Sequence, residues 1–262
     1  MAFTEWDPAV YGRRASERAR PFVELVARVG AEPATVRAIT DVGCGPGHLT
    51  LSLADRYPNA RITGLDSSPA MIAEAVPTDR VRFEVGDATT YLPGPDADLV
   101  VSNAVLHWID GHPDLLRRWA DHLRPGAWLA VQVPGNRDAR SHVAVRELSA
   151  DVRWRDRLTG VAESGPVLDP AGYAAVVAAS GCDPDAWETT YLHTLPAEGD
   201  VHPVLTWLEG TTLRPVIAAL GPDEYPGFAA ALTERLRADY PVADGRFRYP
   251  FRRVFVVAEK IG

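Results

Sequence analysis

The sequence predicts an α/β protein, a Rossmann-like parallel sheet with helices on both faces and a mostly helical cap over the strand carboxyl ends. Three observations carry this. Apolar runs suited to buried strands alternate with helical patterns through the first half of the chain. The first run, Val36 to Val42, contains Asp41 and opens onto three alternating glycines, Gly43, Gly45 and Gly47, before a helical pattern at Leu49, Leu51, Leu53 and Ala54. The second, Arg61 to Leu65, ends at Asp66, nineteen residues past Gly47. A glycine turn after the first strand and an acid after the second is how a doubly wound sheet holds a nucleoside.

The elements follow in order. An N-terminal lead, Phe3 to Tyr11, precedes an amphipathic helix from near Ser16, with Ala19, Phe22, Val23, Val26 and Val29 at helical spacing. Strands are expected at 37–42, 61–65, 81–85, 97–102 and 126–133, and helices near 47–56, 69–76 and 112–123. Leu123-Arg124-Pro125-Gly126 ends a helix and turns into the apolar run Trp128 to Val133. A loop and helix-rich stretch fills 134–180, and Glu188 to Leu195 reads as a strand. Helical stretches near 201–219 and 223–239 follow, and Phe251 to Ala258 closes the chain as a strand. The expected segments are a lead and capping helix (1–35), a nucleoside-binding core (36–135), a helical cap segment (136–186), and two last strands with an inserted helical cap (187–262).

Composition limits the partners. The chain has 262 residues, 27 basic against 35 acidic, for a net charge of −8 with no basic run. That argues against nucleic acid or an anionic membrane surface as a partner. A local arginine pocket still suits a small anion. Cys44 and Cys182 form neither a metal spacing nor a disulfide framework, so no metal is expected. With no signal peptide and no membrane-length apolar run, the expected location is the cytoplasm.

Glycine spacing selects the nucleoside. Dinucleotide sites carry glycines at the first, third and sixth positions; here they fall at the first, third and fifth, and the sixth is His48. No Lys-Ser/Thr pair follows, which excludes a nucleoside-triphosphate loop. Asp41-x-Gly43-x-Gly45-x-Gly47 resembles motif I of the class I S-adenosylmethionine-dependent methyltransferases. A chance glycine turn in an ordinary α/β protein is the alternative, and Asp66 weakens it. Longer blocks are more selective. Trp6-Asp7-Pro8 with Tyr11, Ser16-Glu17-Arg18-x-Arg20-Pro21, Asp66-Ser67-Ser68-Pro69-x-Met71-Ile72, Asn103-Ala104-x-Leu106-His107-Trp108 and Val131-Gln132-Val133-Pro134-Gly135-Asn136 resemble the trans-aconitate methyltransferases. So do Trp187-Glu188-Thr189-Thr190-Tyr191-Leu192-His193, Leu213-Arg214-Pro215 and Phe251-Arg252-Arg253-x-Phe255.

The resemblance implies a cofactor, S-adenosyl-L-methionine, and residues to hold it. Asp41, Gly43, Gly45 and Gly47 form the loop under its methionine end. Asp66, followed by Ser67, accepts from the ribose hydroxyls; a helix N-cap is its rival role. Met71 lies against the adenine, or simply packs. Gly86-Asp87-Ala88 places Asp87 at the adenine amino group, or forms a plain turn. Asn103 stands beside the transferring methyl, with Leu106 in the same block, and His107 either serves the site or closes the loop by packing.

The implied substrate is a small poly-carboxylate. Planar guanidinium groups match carboxylates in paired hydrogen bonds, and the candidates are Arg18, Arg20, Arg214, Arg252 and Arg253. Each has a solvated surface charge as its alternative. Strand alternation sends Arg252 and Arg253 to opposite faces, so only one of them serves a shared pocket. Tyr11, Tyr191 and His193 are candidate neutral partners. An ionised carboxylate needs no general base, so no catalytic acid or base is expected. Two alternatives stay open: methylation of another small-molecule oxygen or nitrogen nucleophile, with His107 as base, and a cofactor-binding regulatory protein without turnover.

Overall fold

The computed structural model describes residues 15–161, 165–196, 201–241 and 246–262. Tyr11 and the side chain of Arg18 lie outside the described residues. In chain order the elements are α1 (Ala15–Ala27), β1 (Ala38–Val42), α2 (His48–Arg56), β2 (Arg61–Asp66), α3 (Pro69–Glu74), β3 (Val81–Val85), β4 (Leu99–Asn103), a 3-10 turn (Leu106–Trp108), α4 (His112–His122) and β5 (Trp128–Pro134). There follow α5 (Arg140–Ser149), α6 (Arg155–Leu158), α7 (Pro170–Ala178), β6 (Cys182–Pro196), α8 (Pro203–Glu209), α9 (Arg214–Asp239) and β7 (Arg246–Lys260). Every strand expected in the core is present, its ends within two residues.

The strands form one sheet in the order β3-β2-β1-β4-β5-β7-β6. Neighbours from β3 through β5 are parallel, whereas β7 pairs with β5 antiparallel. The core strands are thus parallel, as expected of them, and the closing strand makes the sheet mixed. An apolar run such as Val254 to Ala258 has the same pattern in either direction, so its sequence carries no sign of this.

The chain divides into two compact units. The first takes the described residues up to Pro134 with Val167–Thr189 and Arg253–Gly262; the second takes Gly135–Pro166 and Thr190–Arg252. This differs from the segments drawn on the sequence. Tyr173 and Val177 of α7 join Leu115, Leu116 and Trp119 of α4 and Leu129, Val131 and Val133 of β5 in one apolar cluster. His112 Nε2 and the Tyr173 hydroxyl, 2.7 Å apart, tie the two helices together. Residues 167–189 thus belong with the sheet rather than with a cap segment running to 186. On α1 the buried stripe is Phe22, Leu25, Val26 and then Val29; Val23, expected in it, is exposed. Spacing of three and four residues selects the first set and leaves Val23 off the stripe.

In the second unit, α5, α6, α8, α9 and the adjoining parts of β6 and β7 share a core that includes Trp154, Trp207, Phe228, Leu232, Leu236, Tyr249 and Phe251. The α9 helix breaks at Gly221 (φ 67°, ψ −176°) before Pro222, the break the sequence places between 219 and 223. The helix expected over 201–219 is itself interrupted between Glu209 and Arg214. No helix among the described residues is long and apolar enough to cross a membrane.

The entry to β1 is held by one carboxylate. Asp98 Oδ2 accepts from the backbone N–H of Arg37 (2.5 Å) and Ala38 (2.9 Å), and its Oδ1 pairs with Arg124. We expect Asp98→Ala to lower unfolding free energy by about 2–4 kcal/mol, because two strand N–H groups and a guanidinium lose their acceptor. Denaturant unfolding followed by circular dichroism checks this; a change below about 0.5 kcal/mol contradicts it.

Candidate functional site

At the carboxyl ends of β1 and β2 the backbone is woven tightly. The N–H groups of Gly43 and Cys44 both donate to Leu65 O, at 2.7 and 2.9 Å. Gly45 N–H donates to Asp66 Oδ2 and Ser68 N–H to Asp66 Oδ1, each at 2.9 Å. One carboxylate therefore binds the glycine loop to the start of α3. Its oxygens keep further lone pairs for outside donors. The N-cap of α3 is Ser68, whose hydroxyl accepts from Met71 N–H at 3.4 Å, so Asp66 is not the cap residue.

The three glycines have different reasons to be glycine. All have positive φ: 81°, 56° and 82° at Gly43, Gly45 and Gly47. A Cβ on Gly43 would stand 2.0 Å from Val105 Cγ2, and one on Gly47 would stand 2.5 Å from the Phe83 ring. A Cβ on Gly45 would meet nothing within 4 Å. Internal packing thus dictates the outer two, and the middle one borders open space.

Asp41 is buried at the end of β1 and accepts a 2.6 Å hydrogen bond from Thr50 Oγ1 on α2. Burial pushes its pKa up to about 7; the Thr50 hydroxyl opposes this and the Asp66 charge adds to it. Burial likewise raises Asp66, against its two backbone hydrogen bonds. Cys44, in the same loop, has its thiol raised by burial and by both carboxylates, which leaves it protonated and unreactive.

Strand register extends this group across the sheet. Asp41 stands beside Gly64 on β2 and Val101 on β4; Asn103 stands beside Gln132 on β5, and Gln132 beside Phe255 on β7. Partners in register point to one face, as do residues two apart, so Asp66, Asp41, Asn103, Gln132 and Arg253 share a face. Gln132 is fully buried and its Oε1 accepts from Arg253 Nη1 at 3.1 Å. Asn103 Oδ1 and Gln132 Nε2 are buried with no hydrogen-bond partner among the described residues. Ala104, just past Asn103, has φ 60°, a left-handed conformation that a non-glycine residue adopts at a cost of about 1 kcal/mol or more, and its N–H donates to Gln132 O at 2.9 Å.

The other expected cofactor residues are placed as follows. Met71 is buried and Leu106 lies wholly within the apolar core, so neither side chain presents a free surface. Ser67 and Asp87 are exposed; Asp87 Oδ1 accepts from Thr89 N–H at 2.8 Å in the turn after β3, between half-buried Gly86 and Ala88. His107 is buried and packs on Trp108 with ring centroids 4.7 Å apart. Of the expected substrate residues, Arg20 is an exposed surface cation paired with Glu24 one turn on. Arg253 is buried beside Gln132. Arg252 is half-buried, with its N–H on Asn136 Oδ1 (2.8 Å) and its Nη1 near Gly135 O. Their contrasting exposure fits the alternation expected of them.

Arg214, Tyr191 and His193 belong with Arg252 to the second unit. Tyr191 and His193 are buried and stacked, 6.3 Å between centroids, and His193 stacks on Trp207 at 4.6 Å. Nearby in that unit, Ser141 Oγ lies 3.1 Å from His142 Nδ1 and 2.8 Å from the Tyr249 hydroxyl, and Thr212 Oγ1 lies 3.1 Å from His142 Nε2. Burial, then the Arg146 charge, lowers His142 to about 4, so this network is neutral near pH 7. No group of three His, Cys, Asp or Glu side chains among the described residues is arranged to hold a metal ion.

Residues 39–126 match the family model described as a methyltransferase domain. The chain is 48% identical to trans-aconitate 2-methyltransferase of Streptomyces avermitilis over 99% of its own length and 98% of the relative's. It is 50% identical to the enzyme of that name from Mycolicibacterium gilvum, over 97% and 98% of the two chains. This chain belongs to the trans-aconitate 2-methyltransferase family. It is an S-adenosylmethionine-dependent methyltransferase with a Rossmann-like class I fold. Solved structures share the fold at low identity. The YcgJ protein of Bacillus subtilis superposes with TM-score 0.59 at 14% identity, over 94% of this chain and 99% of that one. Phosphoethanolamine N-methyltransferase 2 of Haemonchus contortus, in complex with S-adenosyl-L-methionine, gives 0.54 at 18%, over 93% and 53%.

One member of the shared face, Gln132, and two residues bonded to the group, Thr50 and Ala104, are absent from the expected site residues. Gln132 sits in a block recognised only for its likeness, and a polar residue amid Leu129, Ala130, Val131 and Val133 is the one signal that marks it. Thr50 and Ala104 give none.

Two predictions follow from this geometry. Gly47→Ala should cost about 2–4 kcal/mol of stability, from its positive φ and the collision with Phe83. Gly45→Ala should cost only about 1 kcal/mol, yet weaken S-adenosylhomocysteine binding in calorimetry; equal stability losses in the two variants contradict this. The second concerns pH. A folded pKa raised from 3.8 to about 7 favours protonated Asp41, so its contribution to stability is complete below pH 4 and lost as pH rises toward 7. The ligand-free melting temperature should fall between about pH 4 and 7 by more in the wild type than in Asp41→Asn. Parallel curves contradict it.

Proposed function

We propose that this protein transfers a methyl group from S-adenosyl-L-methionine to a carboxylate of trans-aconitate or a closely related small poly-carboxylate. Near-full-length likeness to relatives bearing the trans-aconitate name carries this reading. The site's own features fit the cofactor: open space over Gly45, a strand-end carboxylate with spare lone pairs, and an orphaned acceptor on Asn103.

When bound, the cofactor supplies a methyl on a sulfonium, already activated toward nucleophiles. The chain's residues then bind and align. Asp66 accepts from the ribose hydroxyls, and Gly45 lets the main chain approach without a Cβ between. Asp41 offers a carboxylate to the positive end of the ligand, and that charge favours its ionised form. Asn103 presents an acceptor toward the cation. Asp87, after β3, is the group assigned to the adenine amino position. Arg253 holds the anion; Arg214 and Arg252, with Tyr191 and His193, offer the same donor chemistry in the second unit.

The acceptor is ionised at neutral pH, so no side chain need remove a proton. Rate then comes from holding oxygen, methyl and sulfur in line, for which effective molarities on the order of 10⁵ M or more are attainable. Esterification removes one negative charge from the bound molecule, which weakens its hold on the guanidinium groups and favours release.

The test is a substrate panel of trans-aconitate, cis-aconitate, isocitrate, citrate, simple phenols and amines, with S-adenosyl-L-methionine as donor. We expect trans-aconitate to show the highest kcat/KM and to give a methyl ester. Methylated phenol or amine without any ester would contradict this and shift attention to His107 as a base.

A further inference from the structure

The face shared by Asp66, Asp41, Asn103, Gln132 and Arg253 changes character across the sheet. It runs from two carboxylates through an amide oxygen and an amide N–H to a guanidinium. Gln132 is the member that no motif role accounts for. It is fully buried in an otherwise apolar strand, where an unpaired polar group carries a desolvation penalty.

Its amide orientation is determined by its neighbour. Arginine has donors only, so the Gln132 atom 3.1 Å from Arg253 Nη1 must be the oxygen. Nε2 is then directed away from the guanidinium, and this is the donor that finds no partner. On the adjacent strand Asn103 presents the complementary orphan, an acceptor. Neighbouring strands lie about 4.8 Å apart, so an acceptor and a donor stand side by side without meeting each other. A cation suits the first and an anion suits the second.

We propose that Gln132 is a specificity-determining substrate residue: its Nε2–H donates to the acceptor carboxylate, and its Oε1 orients the Arg253 guanidinium toward the same anion. This rests on the poly-carboxylate reading and names a residue that reading left without a role. The side-chain type suits the task. A neutral amide orients a guanidinium without cancelling its charge, and it still has an N–H to give. A glutamate would offer no donor when ionised and would repel the substrate. A methionine would keep the volume but neither bond.

Steady-state kinetics on purified Gln132→Met and Gln132→Glu test this, with calorimetry of S-adenosylhomocysteine and thermal melting as controls. For Gln132→Met we expect KM for trans-aconitate to rise about tenfold or more, with the cofactor-product dissociation constant within about twofold of wild type. For Gln132→Glu the rise should be larger still, because the carboxylate gives no donor, pairs with the Arg253 guanidinium and repels the substrate. A packing role alone would weaken substrate and cofactor binding alike. Wild-type KM in both folded variants, or equal losses of substrate and cofactor affinity, overturns the assignment. If the wild-type protein does not methylate trans-aconitate or its relatives at all, the parent reading fails and takes this one with it. If it does and the variants match it, only the role of Gln132 falls.

Discussion

Side chains alternate along a strand, so register alone decides which polar groups share a face. In this protein the pairing of five strands brings Asp66, Asp41, Asn103, Gln132 and Arg253 to one face at the carboxyl end of the sheet. A one-residue slip of β5 against β4 would send Gln132 to the apolar face and turn Val131 and Val133 away from their cluster. The apolar burial on both sides of the sheet prevents that slip, and so fixes the polar row as a by-product of packing.

Charge gives this row its direction. The two carboxylates sit where desolvation raises their pKa, which makes them poor anions alone and good partners for an incoming cation. At the far end Arg253 stays charged under burial, because guanidinium does not lose its proton in proteins. In the proposed reading, a positively charged methyl donor and a negatively charged acceptor are matched to opposite ends of this surface. Between them stand two neutral amides, one presenting oxygen and the other nitrogen.

Much of this was legible in the sequence, for reasons that can be traced. The glycine loop and Asp66 are visible because positive φ and an acid at a strand end leave residue-type signatures. The strands of the core are visible because buried parallel strands are continuous apolar runs. The direction of β7 was not, since such a run has no polarity. Nor was the placement of 167–189 with the sheet, which depends on Tyr173 and Val177 meeting α4. The separate reasons for Gly43, Gly45 and Gly47 were also hidden. Identical residues at regular spacing look alike until Val105 and Phe83 are seen against two of them. Gln132 shows no role in the sequence because its meaning lies in Asn103 and Arg253, which are distant in sequence and adjacent only through register.

The most direct test is a crystal structure of the protein with S-adenosylhomocysteine and trans-aconitate bound together. The account requires the ribose hydroxyls on the Asp66 carboxylate and a substrate carboxylate within hydrogen-bond distance of both Gln132 Nε2 and the Arg253 guanidinium. A complex with the nucleoside in place but every substrate carboxylate held elsewhere, and Gln132 Nε2 still unpaired, would contradict it.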